Sequence, residues 1–460
     1  MIVHSRIKRK SIKNKSIKIK STKYKSLKKK SIKFKKKRKS IRKRKKYDGS
    51  ASKTIILNPT NLNITETTTN LLSLIKINNC EKYESITNKT KNFLNIFYER
   101  FVNSDEFIKN LKIKEEIFTE LPENKDFNSI IDNIKNIIKE KFIKTFKYTL
   151  FAFKKSINVY FVLFNDKTIL YDSEIEIRNN LYKILLWLHV LDNYYEDKTC
   201  SQELNIYVYL TEILKILPDK KNDDIKKEHV NTGFTYTCLK KNSIIIYRKE
   251  EWYKVFIHET FHNLKLDFSN MSNYNTRKYI NNLFKVNSDV KLYEAYTDSW
   301  AKIINVLICS YFMSFKNKDS FIESFIENIN LERTFCMFQS IKILDHMGLK
   351  FEDLYIEDIK IRNKYKEQTS VLSYYIINAI ILNNYQEFIL WCSKNNKNII
   401  QFNHISENQI EFCKFIENNC KTASMLYRIE CVTDMYNYYK VNNENKYLLY
   451  NMRKSLFQLN

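Results

Sequence analysis

Two histidines four residues apart are the first residues of this sequence whose types and spacing could do chemistry. In the segment VFIHETFHNL (255–264), His258 and His262 share one face of a predicted helix, so both imidazoles can reach one metal ion. Glu259 lies one position further round the helix, where it can contact a water molecule beside the metal rather than the metal. The alternative interpretation is a helical core with two hydrogen-bonded histidines and no metal.

A third ligand is predicted 32 residues after His262. In the segment VKLYEAYTDSWAKIINVL, Glu294 and Asp298 are four residues apart and share a predicted helix face. Because a catalytic zinc ion takes three protein ligands and keeps one position open, we expect Glu294 to complete the ligand set. Asp298 is then expected to accept a hydrogen bond from the free ring N–H of His258. The alternative is a solvated acidic pair, although apolar residues surround it.

The elements that must position these residues change in type along the chain. Residues 71–144 have a helical pattern, and nearly everything after Arg248 is helical again. Between them the patterns predict two adjacent strands in 148–164, a helix in 178–195, a strand in 203–213 and a strand pair in 233–239 and 243–248. With only three glycines and three prolines, long helices are favoured over a turn-dense sandwich. Strands followed by helices predict an α+β fold with a mixed sheet.

The two motifs together resemble those of the gluzincin zinc metallopeptidases, which carry HExxH on one helix and ExxxD on the next. The matching residues are His258, Glu259, His262, Glu294 and Asp298, and the extended form of the motif is also met by Ile257, Asn263 and Leu264. More loosely, the segment from Asn231 to Asp298 is similar to uncharacterised metallopeptidase-like proteins encoded by giant DNA viruses. The richness in Lys, Asn and Ile agrees with a viral origin.

The resemblance implies a gluzincin-like core that hydrolyses peptide bonds in peptide or protein substrates with one Zn²⁺ per chain. The zinc ion would activate a water molecule, and Glu259 would take its proton as general base. A tyrosine or histidine of the helical half would stabilise the oxyanion. The candidates are Tyr375, Tyr374 and His346, of which the tyrosines are preferred because His346 also suits a helix C-terminus.

The resemblance also implies that an edge strand of the sheet lines the substrate cleft. The candidate is GFTYT (233–237), which makes Gly233, Phe234 and Thr235 candidate substrate-binding residues through backbone pairing. Gly233 either lets the substrate backbone approach closely or is only a turn residue. A predicted loop, SNMSNYNTRKYINN (269–282), would shape one wall of the cleft.

The sequence divides into four predicted regions. They are a disordered basic tail with SxKxK repeats (1–52), a linker and helical N-terminal region (53–144), a catalytic core (145–348) and a helical C-terminal subdomain (349–460).

The net charge of +28 is concentrated at the start of the sequence, where residues 1–46 hold 24 Lys and Arg and no acid. Five-residue repeats run from SIKNK (11–15) to SIKFK (31–35), a period that matches neither helix nor strand. We predict that this tail is disordered alone and that residues 5–46 bind nucleic acid or another polyanion, unless they are only a solvated extension. The competing function is therefore a nucleic-acid-binding or packaging protein whose metallopeptidase-like scaffold is degenerate.

Nine scattered cysteines without a CxxC pair, and the lack of an apolar signal segment, predict reduced thiols in an intracellular compartment. For a viral chain this would be the host cytoplasm or the virion, and the basic tail could direct nuclear import. The longest apolar run, near residues 304–313, is too short to cross a bilayer, so no membrane partner is expected.

Overall fold

A seven-stranded mixed sheet organises the first half of the computed structural model, which describes residues 52–59, 62–76, 80, 85–164 and 172–460. The strands are β1 (Lys53–Ile55), β2 (Ile113–Phe118), β3 (Phe142–Ala152), β4 (Lys155–Phe164), β5 (Glu203–Tyr209), β6 (Gly233–Thr235) and β7 (Lys241–Ile246). Their order is β1-β2-β3-β4-β5-β7-β6. The pairs β4–β5 and β5–β7 are parallel and the others antiparallel, so β6 lies at one edge. The predicted basic tail lies outside the described residues except for Ser52.

Helices pack against the sheet and form most of the chain after β7. They are α1 (Glu66–Lys76), α2 (Asn88–Lys109), α3 (Asp132–Lys141), α4 (Asp172–Leu191), α5 (Lys227–Val230), α6 (Trp252–Asn263), α7 (Tyr274–Phe284), α8 (Leu292–Met313), α9 (Lys318–His346), α10 (Ile359–Arg362), α11 (Asn378–Asn383), α12 (Tyr385–Asn395), α13 (Ser406–Asn419), α14 (Ala423–Asn442) and α15 (Lys446–Tyr450). A π-helical turn, Leu372–Ile377, leads directly into α11. Among the helices that the structure describes, none is both long and apolar enough to span a bilayer.

Alternation along the central strands explains why the sheet is buried on both faces. In β5, Leu204, Ile206 and Val208 join the large core shared with the helices. Tyr207 and Tyr209 point to the other face, where they join a smaller cluster with apolar residues of α3. Successive side chains of a strand point to opposite faces, so one strand serves both clusters.

The α+β prediction is confirmed, as are the two strands within 148–164, the helix within 178–195 and the antiparallel pair β6–β7. The helical prediction for 71–144 is wrong for Ile113–Phe118, which pairs with β1 and β3. The predicted loop 269–282 is also wrong in part, because α7 begins at Tyr274. Long-range strand pairing and packing determine the secondary structure of both segments, and local propensity does not predict it. All described residues belong to one compact unit, Gly49–Asn460, and the boundaries near 145 and 349 stay predictions within it.

Disulfide bonds correct the expectation that all nine cysteines are reduced. Cys80 is joined to Cys431 and Cys200 to Cys238, with Cα atoms 5.7 and 4.5 Å apart. The partners are 351 and 38 residues apart in sequence, so no short cysteine spacing predicts these disulfides. The remaining five are free and buried.

The last ten residues, 451–460, form an extended segment inside the helical half, which we call the inner segment. Eight of its ten residues are buried. Side chains satisfy its backbone: Gln339 Nε2 donates to Arg453 O at 2.7 Å, and Asn305 Nδ2 donates to Phe457 O at 2.9 Å. The helical pattern predicted for this region therefore does not extend to the end of the sequence.

Glu251 connects the inner segment to the helix that carries the histidines. It precedes α6, is 0% exposed, and accepts hydrogen bonds from Lys215 Nζ and from the backbone N–H groups of Lys454 and Ser455. Burial alone would raise the pKa of Glu251, but the cations of Lys215, Lys254 and Arg453 outweigh it and lower the pKa to about 2. The carboxylate is therefore ionised in the folded protein over nearly the whole pH range.

This lowered pKa predicts an acid-sensitive contribution to stability. Because the pKa of Glu251 is lower in the folded than in the unfolded chain, its contribution is complete above the unfolded value near 4.5 and is lost as the pH falls towards 2. At pH 7, Glu251→Gln should lower the free energy of unfolding by about 3–5 kcal/mol, because it leaves Lys215 buried without its partner. Urea titrations at pH 2.5 to 7 measure both effects. The control Glu212→Gln, at an exposed carboxylate paired with Lys249, should change stability by less than about 0.5 kcal/mol.

Candidate metal centre

Helix α6 places His258 and His262 one turn apart on the same side. Eleven of its twelve residues are buried, so packing on α8 and on the β6–β7 edge holds the helix in place. The two imidazole rings have centroids 4.8 Å apart, and their Nε2 atoms are 3.0 Å apart. Both nitrogens therefore point at the same small volume, as the four-residue spacing predicted.

Glu294, in the first turn of α8, brings an oxygen to the same volume. Its Oε2 atom lies 3.1 Å from His258 Nε2 and 3.3 Å from His262 Nε2. In a tetrahedral zinc site with bonds of about 2.0–2.1 Å, neighbouring ligand atoms are about 3.3 Å apart. The three residues form one of two groups of described residues that could hold a metal ion, and their spacing fits zinc.

Asp298 lies behind His258, where the sequence predicts it. His258 Nδ1 is 3.3 Å from Asp298 Oδ1, and the same carboxylate pairs with Lys254 Nζ at 2.6 Å and Lys302 Nζ at 3.2 Å. Burial would raise the pKa of Asp298, but the two lysines outweigh it and hold the pKa well below its usual range. Asp298 is thus ionised and suited to fix the tautomer and orientation of His258.

Asp267 contacts His262 in the same way as Asp298 contacts His258, and no sequence pattern predicted this residue. Its carboxylate is hydrogen-bonded to His262 Nδ1 and also accepts from Thr297 Oγ1 at 3.2 Å and Ser269 Oγ at 2.8 Å. Asp267 follows the end of α6, after a left-handed residue, Lys265 with φ of 58°. The chain reversal that brings it back to His262 has no helical periodicity, so no sequence signal marks it.

The charges around the two imidazoles favour a cation between them. Burial would raise the pKa of Glu294, but the two histidines outweigh it and hold the pKa well below its usual range. Burial would lower the pKa of His262, but Asp267 and Glu294 outweigh it and raise the pKa well above its usual range. A bound metal ion would supply a positive charge between these groups.

Glu259 follows His258 in α6, is 6% exposed and interacts electrostatically with the three ligands. It forms no hydrogen bond with another described side chain. Burial raises the pKa of Glu259, and Glu294 adds to this, while the histidines and Lys454 oppose it. A buried carboxylate with a raised pKa and a free acceptor is suited to proton transfer.

Of the three oxyanion candidates, the structure brings only Tyr374 to this site. Its ring centroid is 6.0 Å from that of His258. Tyr375 instead donates its hydroxyl to Met452 O at 2.6 Å, and His346 Nε2 lies 3.1 Å from Asp223 O. Burial and the nearby carboxylates, Glu294 first, raise the pKa of Tyr374 well above its usual value. Its hydroxyl therefore stays protonated and can donate.

The edge strand β6 approaches the end of α6. Thr235 Oγ1 donates to Ser243 O at 2.7 Å and accepts from Asn263 Nδ2 at 2.8 Å. Phe234 pairs across to Ile245. A side chain at Gly233 would meet Ile245 O at 2.7 Å, so the glycine is required by close packing within its own sheet. This reason differs from both roles that the sequence suggested for Gly233.

The second group that could hold a metal ion consists of Asp197, Cys200 and Cys238. The two cysteines are joined in a disulfide, so their sulfur atoms are not thiolate ligands. The group also lies against α6, because Cys238 N donates to Asn263 O at 3.1 Å. It contributes to holding α6 against the loop after β6.

Comparison of the chain with protein-family models, with curated proteins and with solved structures gives no match. The interpretation of the centre therefore depends on its geometry and on the motifs.

Proposed function

We propose that the protein is a zinc-dependent peptidase with a gluzincin-like arrangement of ligands and one Zn²⁺ per chain. One observation carries the proposal: the two Nε2 atoms of His258 and His262 and Oε2 of Glu294 lie within 3.3 Å of one another. Carboxylates lie behind both histidines, as is usual for ligand histidines in metalloenzymes. A structural zinc site would use a fourth protein ligand, whereas these three leave one position for water or substrate.

The residues around the ligands would each have a separate role in hydrolysis. When bound, zinc would supply a Lewis acid that polarises the substrate carbonyl and acidifies a water molecule. Glu259 would accept the proton of the attacking water and then pass it to the nitrogen of the leaving amine. Tyr374, kept protonated by its surroundings, would donate a hydrogen bond to the carbonyl oxygen as negative charge develops there.

The test is hydrolysis of an unbiased peptide mixture by the purified full chain, followed by mass spectrometry. Zinc-loaded protein should cleave peptides, chelation should abolish cleavage, and one equivalent of zinc should restore it, whereas magnesium should not, because two imidazoles and one carboxylate suit zinc. Cleavage that survives complete removal of zinc would disprove the proposal, as would a zinc-loaded protein that cleaves no peptide.

A further inference from the structure

Lys454 is exceptional among the buried lysines of the described residues. Seven are buried: Lys155, Lys183, Lys215, Lys254, Lys302, Lys342 and Lys454. The first six donate to acceptors, which are Cys200 O, Asn460 O, Glu251, Asp298, Asn378 and Leu448 O respectively. The Nζ atom of Lys454 donates to no acceptor in the described part of the chain, and its contact is with an aromatic ring.

A buried ammonium group that donates to no acceptor is unfavourable, because burial removes its water without supplying a hydrogen-bonded anion. Lys454 is only 5% exposed. Burial lowers the pKa of Lys454 to about 7, and Lys254 and Lys215 act in the same direction against Asp298 and Glu251. The folded protein thus keeps, at a buried position, an amine whose charged form is disfavoured.

The side chain of Lys454 lies near the candidate metal centre. Lys454 Nζ lies 3.4 Å from the ring centroid of Tyr374, which is itself 6.0 Å from the ring centroid of His258. The charge of Lys454 also lowers the pKa of Glu259, the proposed base. Lys454, Tyr374 and Glu259 are each between 5% and 8% exposed.

The backbone of Lys454 is held rigidly. Its N–H donates to Glu251 Oε1 at 2.7 Å, and its carbonyl accepts from Cys336 Sγ at 3.6 Å. The inner segment, an element separate from α6 and α8, thereby brings the side chain to the centre. A lysine with a fixed backbone and a free hydrogen-bond donor is suited to binding a ligand, unlike a mobile surface lysine.

We propose that Lys454 binds a carboxylate group of the peptide substrate beside the candidate metal centre, an inference that rests on the proposed peptidase function. A carboxylate supplies both the acceptors and the negative charge that the ammonium lacks, in a charge-assisted hydrogen bond. Two sources share this chemistry. The α-carboxylate at the end of a chain would make the enzyme remove terminal residues, and an Asp or Glu side chain would make it select acidic sequences.

Calorimetric binding to the zinc-loaded Glu259→Gln protein separates these sources without turnover. Two ligand pairs are used: an N-acetylated alanine tripeptide as free acid and as amide, and a peptide amide containing Glu or Gln. One pair should show roughly 10- to 100-fold tighter binding of the carboxylate member, and Lys454→Met should abolish that preference. The pair that shows this preference identifies the source of the carboxylate. Equal affinity for the two members of each pair would overturn the inference. So would an equal loss of affinity for the carboxylate and amide peptides in Lys454→Met.

Thermal unfolding separates lost binding from lost folding. Lys454→Met should raise Tm because it removes an unpaired buried charge. The matched variant Lys302→Met should lower Tm because it removes one of the two lysines paired with Asp298 and leaves the amide oxygen of Asn378 without a donor. A fall in Tm for both variants would show that Lys454 is a structural cation and overturn the inference. Hydrolysis of the amide peptide by the unmodified protein tests the peptidase function separately, because that peptide has no carboxylate for Lys454.

Discussion

Replacing Glu259 by glutamine is expected to leave zinc bound and to lower kcat for peptide hydrolysis by roughly 10²- to 10⁴-fold or more. The amide keeps the size of the side chain but cannot accept the proton of the attacking water. The Glu259 carboxylate forms no hydrogen bond with another described side chain, so the change should not disturb the fold. Steady-state kinetics beside elemental analysis measure both quantities on the same preparation.

The control for this prediction is Glu228→Gln, at an exposed carboxylate elsewhere on the surface. It should retain both zinc and the unaltered kcat. A Glu259→Gln protein that hydrolyses peptides normally would show that another group is the base. A variant that loses zinc would instead show that Glu259 is a ligand.

Removing one ligand histidine is expected to empty the centre. The full chain should contain about one zinc per chain, and His262→Ala should contain less than about a tenth, because two remaining ligands cannot hold zinc tightly. Asp267→Asn should weaken zinc binding roughly 10- to 100-fold without abolishing it, since the amide disturbs the tautomer of His262. Elemental analysis and competition with a chromophoric chelator measure the two effects.

His346→Ala is the matched histidine control for the zinc measurement. His346 contacts Asp223 O rather than the three ligands, so its loss should leave zinc in place. Equal zinc content in the unmodified protein and in His262→Ala would mean that the metal is bound elsewhere. If neither the unmodified protein nor His262→Ala contains zinc after reconstitution, the two histidines belong to a metal-free helical core.

The ligand set is the part of the site that local periodicity could predict. His258 with His262, and Glu294 with Asp298, are pairs four residues apart on single helices, and a helix repeats its faces at that interval. Each pair therefore shares a face whatever surrounds the helix. Glu259, one position round from His258, follows from the same geometry.

Neighbouring positions are harder to choose between, as the two tyrosines show. Tyr374 and Tyr375 are adjacent, and their side chains diverge by about a quarter-turn on any helix. Only the packing of the π-helical turn against the inner segment sends Tyr374 to His258 and Tyr375 to Met452 O. Both residues are tyrosines in the same stretch of sequence, so nothing local separates their roles.

The sequence alone determined the α+β class, most strands and helices, and the converging faces of α6 and α8, because each is encoded by a periodicity within one element. Only the tertiary structure decided Asp267, Lys454, the two disulfides and the place of β2 in the sheet. These depend on contacts between residues that are distant in sequence or separated by a chain reversal. Such contacts are selected by the packing of the whole chain, and no local pattern records them.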